Sequence, residues 1–339
     1  MRGVLATLGV ALGSAVSATQ AQQAATSGWR AESFLGSARV AIDATYGRVN
    51  PDGAPPESFV IGRAAFAPFV GTHWQVGLLS AWQLISQGTN RYYSGSVAIV
   101  ANYLPLASNV SRPYVGIFAM EGGGSRTKGS GAYGAQAGWL RFLSPAMALR
   151  AESRYRRYAT GYGYYEFADV FLTFDPYLFG RASQPITQWP SFGVLDAALF
   201  ADVELRPAHI GTLEVTAAPF ITRWLQVGAS GTLNLSFDTN LGDHYLELFG
   251  RGYLPVNRRF MPFGEAFLAK EDQDTDLEGS HGGRAGLRSY LTPGVAIDVA
   301  EEWRNFPPFV TPTRTFPRPE QRALRVMLRT QFRVARAPR

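Results

Sequence analysis

Few residues in this chain are placed to do chemistry. It holds four histidines, His73, His209, His244 and His281, and no cysteine. Ser280-His281 closes a stretch with Asp272, Asp274, Asp276 and Glu278, a hydroxyl, imidazole and carboxylate grouping that would suit hydrolysis or a divalent cation. The stretch lacks the spacing that defines a metal loop, and no Gly-x-Ser-x-Gly elbow accompanies it. It reads as a solvated acidic loop with at most weak cation or lipopolysaccharide-associated binding, no metal centre and no catalytic residue. Gly122-Gly123-Gly124-Ser125 has the glycine of a phosphate cradle but no P-loop lysine after it, and reads as a flexible loop. His73 adjoins an expected turn and reads as an interfacial residue. Nothing in the sequence calls for a cofactor.

The stronger signal is charge on alternate residues. Arg150, Glu152, Arg154 and Arg156 fall on one side of a single strand, as do Asp298, Glu302 and Arg304 on another and Arg325, Arg329 and Arg333 on the last, because successive strand residues point to opposite faces. In an eight-stranded barrel such side chains pair in a packed interior and serve stability. In a barrel of about sixteen strands they would line a water-filled lumen and bias it toward anions. These ten are the candidate lumen and selectivity residues.

Their placement depends on the strands. Met147, Leu149, Ala151, Ser153 and Tyr155 alternate with the first charged set; Trp74, Val76, Leu78, Ser80, Trp82 and Leu84 form one face of another segment. The pattern then repeats. Ala67-Pro68-Phe69 with Trp74-Gln75-Val76-Gly77 returns as Ala218-Pro219-Phe220 with Leu225-Gln226-Val227-Gly228, an offset of 151. Later pairs drift to an offset of 148, as small loop-length differences would make them. About eight strands per copy follow. Tight connections are expected at Gly71-Thr72, Ser144-Pro145 and Thr292-Pro293, with longer loops at 51–56, 122–130 and 271–281 on the opposite side. Phe69, Trp74, Tyr103 and Phe142, with Phe220, Trp224, Tyr253 and Tyr290, lie beside the tight connections, as an interfacial aromatic girdle would require.

Composition bounds the class. Arg2 precedes an apolar run from Val4 to Val16 and small residues ending at Ala21, which reads as a signal peptide because the run is well short of the roughly 20 residues a helical span needs. Charged residues are only 17% against 46% hydrophobic, below the about 25% charged of soluble domains, yet no later segment is apolar enough for a helical span. That combination fits strands with one face toward lipid. The net charge of +6 is scattered singly, which argues against nucleic acid.

The copies share Pro113-Tyr114 and Pro262-Phe263, Tyr103-Leu104-Pro105 and Tyr253-Leu254-Pro255, and Ala137-Gly138 closing on Phe142-Leu143-Ser144-Pro145, matched by Ala285-Gly286 closing on Tyr290-Leu291-Thr292-Pro293. On these motifs each copy resembles the bacterial outer membrane protein β-barrel domain, the small eight-stranded barrels. The likeness implies a bacterial outer membrane location after export through the periplasm, and as partners the lipid bilayer, lipopolysaccharide and the barrel assembly machinery. Such proteins usually finish on an aromatic residue, whereas here Phe332 is followed by Val334 and a basic tail to Arg339. The organisation expected is a signal peptide (1–21), an N-terminal extension (22–35), barrel repeat 1 (36–175), a linker (176–193), barrel repeat 2 (194–335) and a tail (336–339). The fold expected is an all-β antiparallel transmembrane barrel of about 16 strands, the alternative being two linked eight-stranded barrels. The function expected is porin-like passive diffusion of small hydrophilic solutes, the alternative being a non-conducting structural or adhesive barrel acting through its loops.

Overall fold

The structure, a computed structural model, describes residues 37–333 apart from 50–56, 107–109, 126, 145, 161–162, 179–192, 207–209, 238–241, 255, 258, 274–275, 306–308, 311–314 and 317–320. The expected signal peptide, N-terminal extension and tail lie outside the described residues, as does the linker between 179 and 192.

All regular structure among the described residues is β. The first half of the chain forms β1 (Ala38–Val49), β2 (Glu57–Pro68), β3 (Trp74–Gln87), β4 (Asn90–Tyr103), β5 (Ser111–Gly124), β6 (Thr127–Ser144), β7 (Met147–Thr160) and β8 (Gly163–Leu178). The second half forms β9 (Val194–Arg206), β10 (Ile210–Pro219), β11 (Leu225–Ser236), β12 (Gly242–Tyr253), β13 (Phe260–Gln273), β14 (Asp276–Thr292) and β15 (Val295–Asn305). A small hairpin, β16 (Phe309–Val310) with β17 (Thr315–Phe316), stands apart before the last barrel strand, β18 (Gln321–Arg333). Each barrel strand pairs antiparallel with its neighbours and β18 returns to β1, so sixteen strands close one sheet. The expected single barrel of about sixteen strands is therefore what forms.

Period-two alternation decides which face is in. On β5, Val115 and Ile117 stand outward while Tyr114 and Phe118 are buried inside. Ile117 and, on β13, Leu268 are each 68% exposed, an arrangement that water would penalise and hydrocarbon would not. Glycines let inward rings reach their seats. A Cβ on Gly138 would meet the Tyr114 ring at 2.7 Å, and one on Gly134 the Phe118 ring at 2.7 Å.

Both described termini of the barrel lie at one end, called here the near end. Its connections include the five residues between β2 and β3, while β3 and β4 join at the far end through only Gly88-Thr89, with Gly88 at φ 55°. Two of the long far-end loops expected from sequence are ladder instead. Gly122 pairs Ser130, and Glu271 pairs Glu278, so the hairpins β5–β6 and β13–β14 run on past the ladders of β6 with β7 and of β14 with β15, which begin at Gly131 and His281.

The ring is not uniform along its height. Toward the far end, β1 pairs β18 from Asp43↔Met327 to Val49↔Gln321, and β8 pairs β9 from Thr173↔Phe200 to Ala168↔Arg206. At the near end the partners change: Ala38 and Arg39 pair Leu178 and Tyr177 of β8, while β18 pairs β9 from Thr330↔Ala197 to Arg333↔Val194. Four strands thus exchange neighbours at mid-height, and each half closes on itself below that point. Pro176, which has no N–H to give a ladder, sits where β8 leaves β9 for β1. The outward faces of the two lobes meet over Ala38, Val40, Leu178 and Val295, an apolar seam that holds them back to back. The single closed barrel of sixteen strands thus carries, at its near end, additional pairings that join the first and last strands of each half.

Candidate functional site

Eight strands enclose a space that side chains fill, and sixteen a space about 30 Å across. Because each half closes on eight strands at the near end, its interior is packed. In the first lobe Phe69, Leu104, Tyr114, Leu140, Phe142 and Tyr177 form a buried cluster. Above it Arg150 contacts Asp175 at 2.8 Å and Glu152 at 3.1 Å, Arg154 contacts Glu152 at 2.6 Å, and Tyr114 donates to Glu152 at 2.5 Å. Arg39 joins Asp175 at 3.0 Å, and Arg156 joins Asp169 at 2.6 Å while lying over the Phe167 ring. An amide chain completes the lobe: Gln136 donates to Asn102 at 2.6 Å, Asn102 to Gln75 at 3.3 Å, and Gln75 to the Ala67 carbonyl at 3.1 Å.

The second lobe is a denser ion network. Asp298 receives Arg288 at 2.6 and 2.7 Å, Arg251 at 2.7 Å and Arg329 at 3.6 Å. Arg251 also binds Glu265 at 2.6 Å, and Arg288 binds Asp196 at 2.7 Å. Arg284 reaches Glu302 at 2.5 Å, Glu247 at 2.7 Å and Glu265. Arg304 meets Glu247 at 3.2 Å and Tyr245 at 2.8 Å, and Arg325 meets Glu302 at 2.9 Å. Phe220, Tyr253, Met261, Phe263 and Tyr290 pack this lobe at the near end.

These geometries place the expected lumen residues in ion pairs. Arg150, Glu152, Asp298, Glu302 and Arg304 are buried, and Arg154, Arg156, Arg325 and Arg329 are largely so; all pair with opposite charge instead of facing open water. Arg150 and Glu152 lie toward the near end, where each half closes on itself, whereas Arg154, Arg156, Glu302, Arg304 and Arg325 lie at the height where β8 pairs β9 and β1 pairs β18 and are ion-paired there too. The side chain of Arg333 is outside the description; its backbone pairs Val194. Five of the eight aromatics expected in a girdle (Phe69, Phe142, Phe220, Tyr253 and Tyr290) are buried inward, and Trp74, Tyr103 and Trp224 alone stand outward.

Of the acidic stretch and the Ser-His pair that closes it, only the side chains of Ser280 and His281 are described. Ser280 is buried inward and its neighbour His281 is exposed on the opposite face, so the two cannot act as a pair. Asp272 and Asp276 belong to paired strands, Glu271 faces Glu278 in the ladder, and Asp274 is outside the described residues. No group of three or more His, Cys, Asp or Glu residues able to hold a metal is gathered among the described residues. His73 stacks on Tyr103 at 6.1 Å beside the near-end turn.

Sequence reasoning missed the contact between the lobes. Arg63 of β2 lies 3.3 Å from Asp43 of β1 and 3.8 Å from Glu214 of β10, strands half a ring apart. Its guanidinium also sits 5.4 Å from the Phe200 ring centroid. Arg63 and Glu214 stand at the same offset of 151 that relates the two Ala-Pro-Phe segments, which was the available signal. Toward the far end of the first half the interior opens into a cavity of about 710 Å³ whose lining includes Asp43, Thr45, Phe59, Ile61, Arg63 and Gln83.

A closed antiparallel sheet with a bare apolar outer face and a charge-paired interior defines a transmembrane β-barrel. No family model matches the chain, and no curated protein matches it. Solved structures do. A bacterial polysaccharide outer membrane secretin shares 11% identity over 89% of this chain and 99% of its own, with a TM-score of 0.46. The CymD monoaromatic hydrocarbon channel shares 8% over 94% of this chain and 92% of its own, TM-score 0.41. CdiB from Acinetobacter baumannii shares 8% over 86% of this chain, TM-score 0.44, and the chain spans 60% of its length.

Proposed function

We propose that the chain is a bacterial outer membrane barrel, sealed at its near end, that acts from its wide far end as a binding or structural surface instead of a through-channel. The carrying observation is the partner exchange of β1, β8, β9 and β18, which turns the near end into two eight-stranded lobes filled by Phe69, Phe142 and Tyr177 in one and Phe220, Tyr253 and Tyr290 in the other. The outward apolar face suits hydrocarbon, and a barrel leaves no unpaired backbone within it.

The lobes are two copies of one unit in this reading. Main-chain bonds match in support: Phe69 N to Ser37 O has its counterpart in Phe220 N to Val194 O, and Tyr177 N to Ala146 O in Gln331 N to Gly294 O. Ladder register also slips just before the near-end turn in both, at Phe142/Ser144 and Tyr290/Thr292.

Passive diffusion of small hydrophilic solutes is the second reading. It is favoured by the single sixteen-strand ring of the far end and the half-exposed charges of Asp43, Arg63 and Glu214 inside it. Planar-bilayer recordings of refolded full-length protein separate the two. The sealed barrel gives no steps of reproducible size; stable conductance with the wild-type chain would establish the diffusion reading.

A further inference from the structure

The two halves differ where they should match. Inward positions of the first half carry Ile61, Leu79, Ala81 and Ile85, and the positions 151 residues later carry Thr212, Ser230, Thr232 and Ser236. Strand register does not require the apolar set, since the second half builds the same hairpin without it. Ile61 faces the interior yet is 46% exposed there, beside Phe59 and within the cavity of about 710 Å³. That volume is in the range of small-molecule sites, which are mainly apolar with a few convergent polar groups.

The polar groups here are charged and unbalanced. Arg63 lies between Asp43 and Glu214, all three half-exposed to the cavity. One guanidinium against two carboxylates leaves a net negative charge, and Arg63 is already engaged by both. Low-dielectric walls concentrate that field. An incoming anion would meet two carboxylates to reach one occupied arginine; an ammonium would meet two acceptors. Gln83 and Thr45 add neutral hydrogen-bonding groups to the same lining.

We propose that this cavity is a binding site for small organic cations with a flat apolar body, the ammonium directed at Asp43 and Glu214 and the body lying on Phe59, Ile61 and Ala81. The inference deepens the reading of a sealed barrel that works from its far end, and rests on it only for the cavity being a dead end. Conductance tests the seal and ligand binding tests the site, so either can fail alone.

The test uses refolded full-length protein in zwitterionic detergent, titrated calorimetrically with tryptamine, tryptophol and indoleacetate, which share one body and carry a positive, neutral and negative tail. Protein-free micelles supply the blank. Tryptamine should bind saturably, one per chain, about fivefold or more tighter than indoleacetate. Asp43→Asn with Glu214→Gln should abolish that preference, and Ala81→Trp, which occupies the wall where the ligand body would lie and spares the charges, should weaken all three ligands. Heat-modifiable gel mobility confirms that each variant is folded, and if Ala81→Trp does not fold, Ile61→Thr, the residue the second half tolerates, takes its place. No saturable binding of tryptamine, indoleacetate bound as tightly, or a preference that survives the double variant would each overturn the proposal.

Discussion

Arg63 Nη2 lies 3.8 Å from Glu214 Oε2, joining strands that stand half a ring apart in a sheet of sixteen. A circular ring would hold their backbones about 30 Å from each other, so the contact requires the barrel to be drawn in at mid-height. The two residues also stand at matching positions of the two halves. Identical residues there would repel if charged, and the Arg/Glu difference turns that pairing into attraction. Arg63→Glu should lower stability by about 0.5–1 kcal/mol, the usual scale for a half-exposed pair, and adding Glu214→Arg should restore part of it, the glutamate at 63 still facing Asp43. Urea unfolding in lipid vesicles measures both; an equal loss in the single and double variants would show that the contact contributes nothing.

The buried network of the second lobe should be far less forgiving. Asp298 is fully buried and receives Arg251, Arg288 and Arg329. Asp298→Ala strands these cations in the interior and should cost about 3–5 kcal/mol. Arg325→Ala removes a partly exposed partner of Glu302 and should cost about 1 kcal/mol or less. The same unfolding series reads the contrast, and similar losses for both would mean the interior is wet.

Selectivity gives a second contrast. If Arg150, Arg154 and Arg156 lined open water, replacing all three with Glu would make a cation-selective pore. Packed against Asp175, Glu152 and Asp169 as they are, they should instead yield a variant that fails to fold, seen as loss of the heat-modifiable band. A folded triple variant with shifted reversal potential would refute the packed interior.

Gly138 provides a purely steric test. The Tyr114 ring occupies the place of its absent Cβ on the way to Glu152. Gly138→Val should displace the ring and break that hydrogen bond, costing about 1–3 kcal/mol as an overpacked core site does. Tyr114→Phe at the same time should recover only part of the loss, because the added Cβ would meet the Tyr114 hydroxyl at 2.6 Å but also the ring carbon Cζ at 2.7 Å and the Ala151 carbonyl oxygen at 2.5 Å.

The strand order and the inward identity of Arg150, Glu152, Arg154 and Arg156 could be read from alternation alone, since period two fixes the face of every residue once one is known. Closure could not. Which neighbour β1 takes depends on contacts more than a hundred residues away, such as Ala38 with Leu178 and Asp43 with Met327. Without it, the same arginines read equally well as a wet lumen or a dry plug. The carboxylates that decide the matter, Asp175, Glu247 and Glu265, lie on neighbouring strands, and their pairing is set by stagger between strands. The aromatics misled for a related reason: Phe69 and Trp74 flank one turn, yet only Trp74 faces out.

The exchange of partners at mid-height is the claim on which the sealed interior rests, and a chain without cysteine allows it to be tested directly. Directly paired strand residues have the Cα separation a disulfide needs. Ala38→Cys with Leu178→Cys links β1 to β8, and Asp43→Cys with Met327→Cys links β1 to β18. Combined in one chain and oxidised after refolding, both links should form in the same molecules, as mapped by proteolysis and mass spectrometry. Formation of only the β1–β18 link would mean a plain sixteen-strand ring, only the β1–β8 link two separate barrels, and either result would contradict the pinched barrel.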